Sequence, residues 1–396
     1  MTTRSQLFSP QFARVQRIAL VVGAVALLIC LIYAFLNGTQ FFQSYLYAFV
    51  FWVGLSLGSL IWLMIQHLTG GRWPVPTRRI FEAGAMTLPL MGVLFIPLLF
   101  GLTVLYPWAR AGAQNDPIIA AKGLYLTTGF FIVRQIIYFV IWSTLAIVLN
   151  RMSARLDTRD DPALRRRMEW VSGPGVVIYV LTMTFAAIDW SMSLEPDFYS
   201  SMYAVIYMIG QGLNALAFTA IVLHLLRNRE PLATYATPPR FHDIGSLTFA
   251  MIVFWTYTSF SQYLIIWSSN TAELAPWYAE HGSNGWQYFA IALIVFQFFT
   301  PFFILLSRKV KRSSYYLSII AGFIIFMRLV DIFWVIMPSF HPESVYVHPL
   351  DIIALLGIGG VWLTAFLWAL GRKPLVPNNV PAAQRMQQQA AHGHSS

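Results

Sequence analysis

The sequence is poor in charged residues and nearly free of cysteine. Only 11% of its 396 residues are Asp, Glu, Lys or Arg, whereas a soluble domain usually carries about 25%. Cys30 is the only cysteine, which excludes an internal disulfide, a cysteine-based zinc site and an iron–sulfur cluster held by this chain alone. With 57% hydrophobic residues and a mean hydropathy of +0.61, the composition is that of a membrane protein.

Histidine is also scarce where a haem would need it. None of the eight histidines lies deep inside an apolar run, and a membrane b-type haem commonly needs two axial histidines that face each other within the bilayer. We therefore expect no haem, metal or other cofactor on this chain. If the protein takes part in redox chemistry, the electrons must therefore go to another subunit.

The apolar residues form ten runs that are long enough to cross a bilayer, which takes about 20 residues of helix. The first run continues to Leu36, which is too long for a signal-peptide core, so we interpret it as a retained span. The sequence predicts an all-α polytopic membrane protein, with a short segment 1–17, a membrane domain 18–370 and a polar tail 371–396 that we expect to be disordered. The ten runs are roughly 18–36, 41–68, 80–105, 123–149, 171–188, 200–226, 244–267, 285–306, 315–337 and 349–370.

The basic residues are distributed unevenly between the two sides of these spans. Of the 26 Lys and Arg residues, 22 lie in the segments on the N-terminal side, while the opposite loops hold only Arg110 and Lys122. This asymmetry is the positive-inside pattern, so we expect both termini to be cytoplasmic. The net charge of +10 thus reflects membrane topology, and the Arg-rich loop 155–170 favours contact with anionic lipid rather than with nucleic acid.

One short stretch places acids between two apolar runs. The sequence FAAIDWSMSLEPDFYSSMYAV (185–205) carries Asp189, Glu195 and Asp197 in a loop that we expect on the outer side. Carboxyl groups at the outer mouth of a bundle can accept protons and pass them to bulk water, and near lipid such groups can work close to neutral pH. The alternative is structural: Asp189 caps the next helix or bonds loop amides.

Few charges lie inside the predicted spans, where each is costly. Arg134 lies midway along the fourth span and needs an acid from another helix, with Asp189 and Asp331 as candidates. Arg328 and Asp331 are three residues apart on the ninth span, so they can meet on one helix face. We hypothesise that Arg134, Asp189, Arg328 and Asp331 gather in one proton-relay or charge-compensating cluster; a purely structural clamp is the alternative.

A second set of ionisable residues lies at the predicted cytoplasmic ends of the spans. His67, Glu82, His224 and Asp243 belong to it, together with His242. They are either ordinary interfacial residues or a half-channel for protons, because histidine titrates near neutral pH.

Three runs of sequence point to a known family. They are FFIVRQIIYFVIW (130–142), DWSMSLEP (189–196) followed by FYSSMYAVIYMIGQ, and HDIG (242–245) leading to FWTYTSFSQYLIIWSSN and PWY (276–278). In these runs, and over about residues 18 to 370, the chain resembles the F-type membrane subunit of alternative complex III, a bacterial quinol:cytochrome c oxidoreductase. It is also similar to the wider group of polysulfide reductase membrane anchors (NrfD-like). The loop TAELAPWYAEHGSNG (271–285) departs from that pattern, with a single Glu273 and with His281 where an Arg is expected.

The resemblance implies a fold and a set of partners. It implies two packed four-helix bundles plus two further helices in the bacterial inner membrane. It also implies assembly with a homologous quinol-oxidising membrane subunit, a multihaem cytochrome c subunit and an iron–sulfur subunit, which would carry the haems and clusters, while quinone remains possible on this chain. We expect a respiratory-complex subunit that contributes assembly and a proton route. The residues leave a second class open, a stand-alone secondary transporter, because Pro89 and Pro97 fall inside the third span.

Overall fold

The computed structural model describes residues 10–158 and 161–376, and within them it has ten helices that are long and apolar enough to cross a membrane. The fold is 82% helical, with no strand in the described ranges, so the predicted all-α polytopic architecture is confirmed. The spans are α1 (Pro10–Leu36), α2 (Gly38–Thr69), α3 (Pro74–Leu99), α4 (Thr128–Thr158), α5 (Pro162–Trp190), α6 (Tyr203–Leu226), α7 (Pro238–Ser269), α8 (Trp286–Leu306), α9 (Ser314–Ile336) and α10 (Pro349–Gly371).

Several helices extend beyond the apolar runs that predict them. Helix α5 begins at Pro162, nine residues before the predicted run, because the Asp161 side chain accepts hydrogen bonds from the backbone N–H groups of Ala163 and Leu164. A carboxylate cap followed by proline at the first helical position starts a helix efficiently. At its other end α5 continues through Asp189 to Trp190, two residues beyond the predicted run 171–188, so Asp189 lies in the helix rather than in the loop where we expected it.

The third span is two helices rather than one. Pro74–Ala85 and Leu88–Leu99 are separated at Met86 and Thr87, since Pro89 has no N–H to continue the first segment's hydrogen-bond ladder. The Thr87 hydroxyl donates to the Gly84 carbonyl at 2.6 Å and lies 2.7 Å from the Ser56 hydroxyl of α2. These contacts provide hydrogen bonds for the polar groups at the break, inside the bundle.

The spans pack as two bundles of four, α2–α5 and α6–α9, with α1 and α10 packed against each other beside them. Helices α2 and α6 meet in the centre, where a Cβ on Gly58 would lie 2.1 Å from the Gln211 carbonyl oxygen, so only glycine permits this approach. Accordingly α2 and α6 are the most buried spans, at 83% and 72%. This arrangement agrees with the expected two four-helix bundles plus two helices.

We name the two ends of the molecule by their charge. The basic end comprises the segments 70–73, 227–237, 307–313 and 372–376 with the adjoining ends of α4 and α5; the acidic end comprises 100–127, 191–202, 270–285 and 337–348. At the basic end the chain after α10 folds back, and the Arg79 side chain donates to the Pro374 carbonyl at 3.1 Å. Leu375 and Val376 are buried there, while the rest of the tail, 377–396, lies outside the described residues.

Candidate functional site

Asp189 is fully buried at the end of α5 and is paired with Arg134 of α4. Arg134 donates from Nη2 to Asp189 Oδ1 at 2.7 Å and from Nε to Oδ2 at 3.0 Å. Gln135 and Tyr138 each add a hydrogen bond to Oδ2 at 3.1 Å. Residues 134, 135 and 138 share one face of α4 by helical spacing, so a single helix supplies all four donors to the carboxylate.

Neighbouring groups fix the orientation of both partners. Arg134 also donates to the Tyr125 carbonyl at 2.9 Å, and its guanidinium lies 3.8 Å from the centre of the Tyr125 ring. Gln135 accepts a 2.8 Å hydrogen bond from the Trp190 indole, so its amide orientation is set. A carboxylate that accepts four hydrogen bonds, two of them from a bidentate arginine, is held in one geometry. The arrangement suits a fixed countercharge better than a group that must turn to hand on a proton.

The second buried pair, Arg328 and Asp331, lies on α9 in the other bundle. The two side chains form an ion pair within one helix turn and are almost inaccessible to solvent. Arg328 packs against α6 at Gly210, where a Cβ would lie 2.3 Å from the guanidinium nitrogen Nη2. A residue larger than glycine at 210 would therefore displace the arginine.

Unlike the Asp189 carboxylate, the Arg328 pair is surrounded by polar atoms that lack partners. Among the described residues the Arg328 Nε, the Tyr207 hydroxyl and both amide atoms of Gln297 are buried with no hydrogen-bond partner within 3.5 Å. Gln297 faces Asp331 from α8, and Tyr207 faces the pair from α6. Buried polar groups are normally satisfied by protein or by ordered water, so this region is suited to hold water between the two side chains of the pair and α8.

Helix α8 is distorted where it reaches this region. Residues Leu293–Phe299 form a π-helical stretch between two α-helical segments, and Gln297 lies within it. Such insertions cost stability and are frequent at functional sites. Here the stretch carries the one amide of an otherwise apolar run, LIVFQFF, in the bundle interior.

The four charged residues form two pairs rather than the single cluster predicted from the sequence. Hydroxyl groups lie between the pairs: Ser191, just after α5, is 2.5 Å from the Tyr203 hydroxyl of α6, and Tyr203 stacks on Tyr207. The reason is the bundle assignment, since α4 and α5 belong to one bundle and α9 to the other. A sequence does not reveal which of two bundles a charge faces.

Glu195 lies in the acidic-end loop after α5 and joins two loops. It accepts a 2.5 Å hydrogen bond from the hydroxyl of Ser339, which follows α9. Burial raises the pKa of Glu195 to about 7, and the nearby charges of Glu280 and Asp197 act in the same direction. A carboxyl with this pKa can bind or release a proton near neutral pH, and Glu195 lies at the acidic end of the molecule.

At the basic end Glu82 is the centre of a charged network. Its carboxylate pairs with Arg78 at 3.0 Å, Arg79 at 2.6 Å and Lys373 at 3.0 Å, and it accepts a hydrogen bond from Ser153. Arg79 also pairs with Asp157 at the end of α4. The network connects α3, α4 and the chain after α10, so its role is structural.

The remaining basic-end residues predicted from the sequence are divided between the two bundles, with His67 on α2, His224 on α6, and His242 and Asp243 on α7. His67 is 2.9 Å from the Ser172 hydroxyl through Nδ1, while its Nε2 is buried and unpartnered. His224 contacts Arg227, and Asp243 pairs with Arg240 at 2.7 Å. No hydrogen bond or ion pair of the described residues joins His224 or Asp243 to Glu82, so the five-residue half-channel is divided between the bundles.

A groove of about 440 Å³ lies between α2, α8, α9 and α10 and is a candidate binding site for a quinone. Its walls are almost wholly hydrocarbon. Its two polar side chains are already engaged, since Tyr47 donates to the Leu329 carbonyl at 3.1 Å and Trp52 to the Leu355 carbonyl at 3.0 Å. The groove therefore fits a lipid or isoprenoid chain, whereas a quinone head group would find no free donor for its oxygens. Within the described ranges, no three His, Cys, Asp or Glu side chains converge as a metal site requires.

Several residues of these sites were not singled out from the sequence. Gln297 could have been found as a lone amide in an apolar run. Asp351, buried at the start of α10 and 2.5 Å from the Ser44 hydroxyl, could have been found from the acid in HPLDIIALL. No sequence pattern marks Lys373 or Ser339, because their contacts with Glu82 and Glu195 depend on how the segments after α10 and α9 fold back.

Taken together, the fold and its buried ion pairs define a ten-helix membrane protein with a charged site in each of its two bundles. The sequence matches no family model, and no curated protein matches it either.

Proposed function

We propose that this chain is an integral membrane subunit of a respiratory quinol:cytochrome c oxidoreductase complex, to which it contributes assembly and a proton route rather than a redox cofactor. One observation carries the proposal: the runs that resemble the alternative complex III subunit meet in space. Arg134 and Gln135 of the first run bond Asp189 and Trp190 of the second.

The third run joins the second in the same way. Gln262, within FSQYL, accepts a 2.8 Å hydrogen bond from Ser200, within FYSS. Its amide nitrogen donates to the Tyr278 hydroxyl of PWY at 3.1 Å. If the three runs belong to one functional pattern, we expect their side chains to contact one another although the runs are far apart in the chain.

The proton route runs from the Arg328–Asp331 pair to the acidic end. Water held among Arg328, Gln297 and Tyr207 would hydrate the pair, and Tyr203 and Ser191 continue the line of hydroxyls. Glu195 then exchanges the proton with bulk water. The Arg134–Asp189 pair contributes fixed charge beside this line. The positive-inside pattern of the sequence favours an exit on the outer side of the membrane, which we propose to be a bacterial inner membrane.

The test is purification of the full chain from native membranes in a mild detergent, followed by turnover and proton-yield measurements. Co-elution with a haem-containing partner and an iron–sulfur subunit is the expected result. In the assembled complex, Asp331→Asn should lower proton yield per quinol, whereas Asp243→Asn, at the half-buried Arg240 pair of the basic end, should not. Elution as a lone chain would contradict the proposal of a complex, and full proton yield in Asp331→Asn would contradict the route.

A second function, secondary transport, is favoured by the interrupted third span. Transporters bind substrate where half-helices end near mid-membrane, and α3 is interrupted at Met86 and Thr87. The same purification separates the two classes, because a transporter elutes without haem and moves a solute when reconstituted alone in vesicles.

A further inference from the structure

Helix α7 combines the lowest hydropathy of the ten spans with high exposure. Its most apolar window has a mean hydropathy of 1.3, yet only 28% of that window is buried. The other spans of low hydropathy, α3 at 1.6 and α6 at 1.7, are 50% and 72% buried. The other highly exposed spans, α1 at 2.9 and α8 at 2.4, are strongly apolar. Helix α5, at 1.8 and 33% buried, comes nearest to α7, but the exposed side chains along its middle are hydrocarbon, among them Val177, Leu181 and Phe185.

The exposed face of α7 carries a hydroxyl near the middle of the membrane. Tyr257 is 66% exposed and lies within two residues of the centre of the apolar run 244–267, which is about 3 Å along the axis. Its hydroxyl cannot reach a membrane surface about 15 Å away. In the described part of the chain it has no hydrogen-bond partner, and neither has Ser261 one turn further on. Lipid cannot satisfy such groups.

These groups belong to one continuous stripe. Phe254, Tyr257, Ser261 and Leu264 are spaced by three and four residues and share a helix face. By contrast, the exposed side chains along the middle of α8 are hydrocarbon only, among them Ile291, Ile294, Phe296 and Phe303. The α8 face is matched to lipid, and the α7 face is not.

We propose that the stripe Phe254–Tyr257–Ser261–Leu264 is the docking face for a membrane-spanning helix of a different chain, one that presents small side chains and a hydrogen-bond acceptor at mid-membrane. Small residues let helices approach closely in lipid, and polar groups between them form hydrogen bonds. A second copy of this chain docked through the same stripe would oppose Phe254 and Tyr257 to the same two rings, with Ser261 as the one small side chain of the stripe. The inference does not depend on the proton route.

The proposal is tested in native membranes with the full chain. A photo-crosslinking phenylalanine analogue is placed at Tyr257 or at Leu264, and at Phe303 of α8 as a control of similar exposure. The expected result is an adduct from both stripe positions with the same partner, identified by mass spectrometry as another membrane-spanning chain, and none from Phe303. An adduct of twice 44.9 kDa, or no protein adduct from the stripe, would overturn the proposal.

A second variant tests the hydroxyl itself. With the crosslinker at Leu264, Tyr257→Phe should lower the amount of partner captured after mild detergent treatment by about threefold, since one interhelical hydrogen bond in lipid has this effect on an association equilibrium. Tyr263→Phe, at the membrane edge of the same helix, should leave it unchanged. If both variants capture the same amount of partner, the Tyr257 hydroxyl makes no hydrogen bond to that partner.

Discussion

The Arg134 guanidinium and the Asp189 carboxylate face each other across two helices and share two hydrogen bonds of 2.7 and 3.0 Å. The arginine lies 55 residues earlier in the chain, so the pairing depends on the packing of α4 on α5. Because Gln135 and Tyr138 fill the remaining acceptor sites, the desolvation of both charges is offset locally. The pair therefore holds the acidic ends of α4 and α5 together.

Removal of the Asp189 carboxylate should destabilise the protein strongly. Asp189→Ala leaves a buried arginine without its counterion, which typically costs about 3–5 kcal/mol. Thermal unfolding in detergent measures the effect. Asp197→Ala, at an exposed acid in the following loop, is the matched control and should change stability by no more than about 0.5 kcal/mol. Similar midpoints for the two variants would show that the Arg134 pair contributes little.

A methyl group at Gly210 should disturb the Arg328 pair. The new Cβ would lie 2.3 Å from the guanidinium, and overpacking of this kind costs about 1–3 kcal/mol. Gly322→Ala on α9 is the control, because its Cβ would meet nothing within 4 Å and alanine favours the helix by about 0.5–1 kcal/mol. Thermal unfolding should thus move in opposite directions for the two variants. A shift in the same direction would contradict the close packing of Arg328 on α6.

The ten helices could be predicted from the sequence because a membrane span has a simple signal, a long apolar run. The ends were less predictable, since polar residues such as Asp161 continue a helix beyond the lipid through capping. The interruption of α3 was visible only as Pro89 and Pro97, and prolines within a span do not reveal whether the helix kinks or breaks.

The buried charges could be identified as unusual but not assigned to partners. Arg328 and Asp331 are neighbours on one helix, so their pairing follows from spacing alone. Arg134 had two candidate acids, and only the packing of α4 on α5 selects Asp189. The role of Lys373 depends on how the chain after α10 folds back onto Glu82, for which no local pattern exists.

The orientation predicted from the basic residues can be measured directly. Cysteines introduced at Arg72 and at Glu343, both exposed and at opposite ends of the molecule, should react from opposite sides of the membrane with an impermeant maleimide. Arg72 should be labelled only from the cytoplasm. The native Cys30 is buried in α1 and serves as the unreactive background. Labelling of both positions from one side would refute the topology.

Glu195 should make the stability of the protein depend on pH. Its ordinary pKa is 4.5, and burial raises it to about 7 in the folded protein. Between these two values the unfolded chain has released the proton while the folded protein still binds it. The free energy of unfolding therefore falls as pH rises from about 4.5 to about 7 and is constant above that, by about 3 kcal/mol at most.

Replacement of Glu195 by glutamine should remove this dependence. A glutamine is neutral at every pH and can still accept the hydrogen bond from Ser339, so the variant should be more stable than the unsubstituted protein above pH 7 and equally stable near pH 4.5. Thermal unfolding in detergent from pH 4.5 to 8 measures both curves. Glu343→Gln, at an exposed acid of the same end, should follow the unsubstituted protein throughout. Parallel curves for the unsubstituted protein and Glu195→Gln would show that the Glu195 carboxyl does not titrate in this range, and would remove it as the proton exit.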